Sequence, residues 1–132
     1  MRYLLDTHSL LWSAFSPRKL GKAGRAAILE PDNDILVSVV SFWEISLKYA
    51  LGKIGLEGVS PEQLPGVAED MGFAFLALAA DAASSFHKLP VLRHKDPFDR
   101  MLIWQAIGEG LPIITKDPDF ALYAGQGLKV IW

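Results

Sequence analysis

Short apolar runs alternate with helix-patterned stretches along the whole chain, and that alternation restricts the fold more than any other feature. Arg2 to Leu5 is the first run, and Asp6-Thr7-His8-Ser9 behind it is a cluster of helix-capping side chains. Leu10, Leu11, Ala14 and Phe15 then recur at helical spacing until Ser16-Pro17 closes the segment. A second helix is expected over Arg18 to Glu30. Leu20, Ala23, Ala27 and Ile28 form its apolar stripe, with Arg18, Lys19, Lys22 and Arg25 on the other face. Pro31-Asp32-Asn33-Asp34 is turn chemistry, and Ile35 to Val40 is β-rich and too short for a typical helix. Ser41 is expected to open the next helix with Glu44 as capping-box partner, directing Ile45, Tyr49 and Leu51 toward the core before an end near Gly52.

The second half continues the pattern. Gly55 to Gly58 is a loop, Ser60-Pro61-Glu62 starts a helix that reaches Met71, and Phe73 to Leu78 reads as a strand. Ala79 to Lys88 is a small-residue helix, and Leu89 to Lys95 an irregular basic connection. Asp96-Pro97 opens the best-defined helix, which runs from Phe98 to Glu109 and is ended by Gly110-Leu111-Pro112. Ile113-Ile114-Thr115 is a buried-strand run, Asp117-Pro118 opens one more helical turn, and Leu128 to Ile131 is a final strand. Alternation of this kind predicts an α/β fold, a parallel sheet covered on both faces. With no repeat and no linker, residues 1–132 are expected to form one domain.

Composition excludes several classes. At 51% hydrophobic the chain is not disordered, and no apolar run approaches the roughly 18–20 residues of a membrane span. The start Met-Arg-Tyr-Leu-Leu-Asp meets a charge at once, before any apolar stretch of signal-peptide length, so a signal peptide is not expected. The absence of cysteine removes disulfides, thiol nucleophiles and thiolate zinc sites, and fits a cytoplasmic location. A net charge of −2 argues against holding nucleic acid by bulk charge alone.

In parallel sheets ligands bind outside the carboxyl ends of the strands, so the acids just after each strand matter most. Asp6 follows the first strand, Glu44 falls early in a helix, Asp96 and Asp99 open another, and Asp117 follows the Ile113–Thr115 run. Singly, each has an ordinary structural reading as an N-cap or a first-turn acid. Gathered in one crevice they would repel one another and need a counterion, and oxygen ligands favour Mg²⁺ or Mn²⁺. Such an ion polarises a phosphoryl oxygen and generates hydroxide for attack on a phosphodiester.

At this point the sequence resembles the PIN-domain ribonucleases, and among them the VapC-type toxins of toxin–antitoxin pairs. The residues that carry the resemblance are Leu4-Leu5-Asp6-Thr7-His8, Ser41-Phe42-Trp43-Glu44-Ile45-Ser46 with Lys48, His94-Lys95-Asp96-Pro97-Phe98-Asp99-Arg100-Met101-Leu102-Ile103, and Ile114-Thr115-Lys116-Asp117-Pro118-Asp119-Phe120. It implies a three-layer α/β/α domain with a parallel sheet of four or five strands and Mg²⁺- or Mn²⁺-dependent endonucleolytic cleavage of RNA. Asp6, Glu44, Asp99 and Asp117 would be the catalytic, metal-binding acids. Asp96 would be a cap or a supporting group, and Asp119 competes weakly with Asp117 for the fourth position. Thr7 would hydrogen-bond an acid or the phosphate, or form a local turn. Trp104 departs from the pattern, standing where a small residue is more common.

The resemblance also implies a homodimer and a cognate antitoxin whose tail lies in a groove walled by the helices over Thr7 to Phe15 and Phe42 to Lys53, with an antitoxin residue such as Arg entering the acidic pocket. Lys88, Arg93, His94, Lys95 and Arg100 flank the acids and are candidate RNA contacts, against the plainer reading of a solvated basic loop. His8 and His87 read as structural. Trp12, Phe15, Phe42, Trp43 and Trp104 are many large aromatics for a small core, so an exposed apolar patch is expected. Two alternatives have sequence tests. An inactive RNA-binding or scaffold module would not need all four acids, and a receiver-like signalling domain would need an acid pair where Asp6 stands alone.

Overall fold

A computed structural model describes residues 1–132. Five parallel strands, β1 (Arg2–Leu5), β2 (Asp34–Ser38), β3 (Ala74–Leu76), β4 (Ile113–Ile114) and β5 (Val130–Ile131), lie in the order β3-β2-β1-β4-β5. Side chains alternate across a strand, and here the alternation divides two cores. Leu4, Leu36 and Ile113 face one side, where α6 (Pro97–Glu109) supplies Leu102, Ile103 and Ala106, and a long 3₁₀ segment (Pro118–Gln126) supplies Phe120 and Tyr123. Tyr3, Leu5, Ile35, Val37 and Ile114 face the other, covered by Leu10 of α1 (Thr7–Phe15), Ala27 of α2 (Lys22–Leu29), and Leu64 and Ala68 of α4 (Leu64–Asp70). The result is the expected three-layer α/β/α architecture with the five-stranded form of the sheet. No helix is long and apolar enough to cross a membrane.

Local departures from the sequence reading have identifiable causes. The helix expected from Ser41 begins two residues earlier, as α3 (Val39–Ala50), because the Ser38 hydroxyl caps it by accepting from the Val40 amide at 3.1 Å. The β-branched pair Val39-Val40 is thereby helical, since Val40 fills the α6-side core. α3 serves both cores, with Val40 in one and Ile45 in the other, whereas Tyr49 and Leu51 lie exposed beyond the sheet. The helix expected over Arg18 to Glu30 is a 3₁₀ turn (Pro17–Lys19) followed by α2, and its buried positions are Gly24 and Ala27. The break falls at Gly21, where a Cβ would lie 2.6 Å from the Trp132 backbone carbon. After β3, α5 (Ala80–Ser85) gives way to another 3₁₀ turn (Phe86–Lys88).

The strand order sets where a ligand can sit. From β1 the chain steps to β2 and β3 on one side, then returns to β4 and β5 on the other, so the order reverses between β1 and β4. A crevice outside the carboxyl ends of those two strands is the binding position of such a sheet. Asp6 is the residue after β1, and Thr115, Lys116 and Asp117 are the residues after β4.

Candidate metal-binding active site

Asp6 is built into the sheet edge. As N-cap of α1 it accepts from the Ser9 amide through Oδ1 at 2.8 Å, while Oδ2 accepts from the Thr115 hydroxyl at 2.6 Å. The Thr115 hydroxyl accepts in turn from the Asp117 amide at 3.1 Å, so one side chain ties the ends of β1 and β4 together. Burial pushes the Asp6 carboxyl above its ordinary value, and the hydrogen bonds from Thr115 and Ser9 offset only part of that.

Glu44 comes from the second turn of α3 and is almost fully buried. The expected capping box with Ser41 is absent, because Ser38 has taken the capping role. Ser41 instead lies 3.0 Å from the Thr7 hydroxyl, and Thr7 donates to Glu44 Oε1 at 2.7 Å. Lys48, one turn along the same face, donates to Glu44 Oε2 and forms its ion pair. Burial works against the charge on Lys48, yet its pKa is raised, because the hydrogen bond and charge of Glu44, followed by the charges of Asp96 and Asp99, outweigh that effect.

The third group faces the open side. Asp96 caps α6, accepting from the Asp99 amide at 2.9 Å, and that cap aims the Asp99 side chain into the crevice. Asp99 Oδ2 lies 3.0 Å from His94 Nε2, and the same imidazole nitrogen lies 3.8 Å from Asp117 Oδ2. His94, Asp99 and Asp117 each offer a donor atom, all within 4.8 Å of one another. Asp99 is pushed up to about 7, first by burial and then by the charges of Asp96 and Glu44, with His94 opposing. Two of the three donors are carboxylates, which suits a hard divalent cation, and a single imidazole is compatible with Mn²⁺.

The remaining candidates fall outside this centre. Asp119 pairs with the exposed Arg93 at 2.7 Å and donates its amide to Asp117 Oδ1 at 2.9 Å, so it buttresses Asp117. Arg100 donates to the carbonyls of Leu89 and Pro90 at 3.0 and 3.4 Å and stacks over Phe86 at 4.9 Å, which pins the basic connection to α6. Lys88 and Lys95 are exposed. Of the large aromatics only Trp43 is well exposed, at 62%, with its ring edge-on to Phe98 at 5.1 Å. Trp104 is half-buried and donates to the Ser85 hydroxyl at 3.2 Å. Sequence reasoning gave no role to Thr115, and gave Ser41 a capping role in place of its contact with Thr7. The Glu44–Lys48 spacing of four residues on one helix was the available signal for their pairing, and a Thr ending a buried strand was the signal for Thr115.

Acids delivered to the switch point of a doubly wound parallel sheet define an α/β/α domain with an acidic crevice. The chain belongs to the PIN domain family, whose sequence pattern matches residues 3–126. It is 28% identical over 114 residues to Ribonuclease VapC22 of Mycobacterium tuberculosis (strain ATCC 25618 / H37Rv), covering 86% of this chain and 85% of that protein. Among solved structures it is similar to VapBC2 from Rickettsia felis bound to a promoter DNA fragment, with a TM-score of 0.67 and 15% identity over 99% of this chain and 98% of that one. It is also similar to VapBC-5 from Mycobacterium tuberculosis, a member of the VapBC family of toxin–antitoxin systems, with a TM-score of 0.60 and 21% identity over 98% and 97%. At these identities the solved structures speak to the fold.

Proposed function

We propose that this chain is a metal-dependent endoribonuclease, the toxin of a VapC-type toxin–antitoxin pair. The observation that carries the reading is the convergence of His94, Asp99 and Asp117 within 4.8 Å, beside the buried Asp6 and Glu44, where the strand order reverses. Membership of the PIN domain family and the likeness to a VapC ribonuclease support it.

In this reading Asp99 and Asp117 hold Mg²⁺ or Mn²⁺, with Asp6 and Glu44 on the inner wall. A bound divalent cation supplies an activated water and charge neutralisation for in-line displacement at phosphorus. Thr115 and Thr7 keep the inner carboxylates oriented through the bonds they donate, so those acids need no reorganisation when substrate arrives. His94, 3.0 Å from Asp99 through Nε2, positions that carboxylate. Lys48 balances Glu44 and lowers the repulsion that an entering phosphate meets. Arg93 and Lys95 contact the RNA backbone from the exposed loop, and Arg100 keeps that loop in place.

The partners in this reading are a cognate antitoxin and a second copy of the chain. Toxin–antitoxin complexes among the similar structures support the first. Exposed Trp43, beside an apolar recess lined by Val40, Leu78, Phe86, Phe98 and Met101, offers the kind of surface both would use. The test is cleavage of a mixed RNA pool by purified protein with Mg²⁺, with Mn²⁺ and with EDTA, wild type beside Asp99→Asn. Metal-dependent cuts lost in the variant support the nuclease. Intact RNA in every lane, from folded protein free of antitoxin, points to an RNA-binding module.

A further inference from the structure

A pocket of 380 Å³ opens beside Asp6 and is lined by Asp6, His8, Trp12, Lys116, Asp117 and Pro118. Two of its walls are acids of the crevice, so an occupant lies against the reacting centre. The facing wall is aromatic. His8 and Trp12 stand one turn apart on α1 with ring centroids 5.6 Å apart, and Lys116 Nζ lies 5.8 Å over the Trp12 ring. Trp12 is a member of neither hydrophobic core, so burial does not account for its presence.

The ring is nevertheless braced. Trp132 stands 5.6 Å from Trp12 at 59°, and its carbonyl accepts from the Ala23 amide at 3.2 Å. Gly21 supplies the room, because a Cβ there would lie 2.6 Å from the Trp132 ring carbon Cδ1. A half-exposed indole, fixed from behind and paired with a lysine, is the combination that binds single-stranded nucleic acid, an aromatic face for the base and a cation for the backbone.

We propose, resting on the nuclease reading above, that Trp12 and Lys116 form a nucleotide subsite. A base of the single-stranded RNA next to the scissile bond stacks on Trp12, and Lys116 takes the adjoining phosphate. The subsite gives the enzyme a base preference at that position, since stacking strength differs among bases. It also supplies attraction at the edge of a crevice whose acids repel a polyanion.

The experiment uses an RNA oligomer holding one mapped cut site, together with oligomers abasic at each position flanking it. Wild type, Trp12→Ala, Trp12→Phe and Lys116→Ala are compared by kcat/KM, and binding is measured separately in the Asp99→Asn background. Trp12→Ala is expected to lower kcat/KM about tenfold or more, mainly through KM, with Trp12→Phe recovering most of it. One abasic position costs wild type a similar factor and costs Trp12→Ala nothing further. Lys116→Ala weakens binding and reduces its salt dependence by about one phosphate contact. Abasic sensitivity that persists unchanged in Trp12→Ala overturns the subsite and leaves the nuclease reading standing; if Trp12→Ala does not fold, Lys116→Ala with wild-type affinity and wild-type salt dependence overturns it instead. Wild type that neither cleaves nor binds RNA removes both.

Discussion

The two flanks of the acidic crevice are built on opposite principles. On the inner flank Asp6 and Glu44 are almost fully buried, and each carboxylate oxygen already accepts a bond from Ser9, Thr115, Thr7 or Lys48. On the outer flank Asp99 and Asp117 are half-buried, close to each other through His94, and Asp99 is left with like charges from Asp96 and Glu44 that one imidazole does not balance. The inner flank is part of the fold, preassembled by its hydrogen bonds. The outer flank is an electrostatic deficit, which in the proposed reading a divalent cation offsets. One side chain of each kind, changed in turn, should therefore separate stability from chemistry.

The sharpest separation is expected at Asp99. Asp99→Asn keeps its shape and removes a charge that the folded state holds at a disadvantage, so the melting temperature of metal-free protein should hold or rise. Cleavage in the same preparation should fall by at least about a hundredfold, since metal-site electrostatics supplies several kcal/mol. If Asp99→Asn unfolds the protein, the contrast between the flanks is wrong. Asp6→Ala should do the reverse as well as stop cleavage. It deletes the α1 cap and strands the Thr115 hydroxyl, a loss of about 3 kcal/mol in denaturant unfolding.

A pH titration of stability reads the outer flank directly. Asp99 sits at about 7 in the fold against 3.8 ordinarily, and the raised carboxyl of Asp6 acts in the same direction. Between those pH values the folded protein binds more protons than the unfolded chain, so stability is greatest below pH 4 for these groups and declines as pH rises through 7. The decline should be on the order of 4 kcal/mol in metal-free protein, and saturating Mg²⁺ should flatten it. The smallest effects test the edges. Thr7→Val removes the donor to Glu44 and should lower stability by about 1 kcal/mol. Arg93→Ala breaks an exposed pair with Asp119 and should change it by less than about 0.5 kcal/mol, measured by the same unfolding curves.

What the sequence made readable follows from periodicity and from short-range chemistry. The strands around Leu4, Leu36 and Ile113 and the caps at Asp6, Asp96 and Asp117 depend on neighbours a few residues away, so each was visible locally. The start of α3 was misread for the same reason. Val39 and Val40 are β-formers by local preference, and only packing of Val40 under α6 makes them helical. His94 was visible as a basic loop residue but not as the neighbour of Asp99 and Asp117, because its place depends on how the Leu89–Lys95 connection folds over α6.

The sequence by itself therefore determined the alternation of strands and helices, the family, and the set of acids placed at strand ends. The tertiary structure decided which acids are hydrogen-bonded into the core and which confront one another, and it set Trp12 on the rim of the crevice braced by Trp132. The physical reason is range. Secondary structure and capping are settled by interactions between nearby residues, whereas desolvation, carboxylate repulsion and the Thr115–Asp6 bond across 109 residues exist only once the sheet has brought distant segments together.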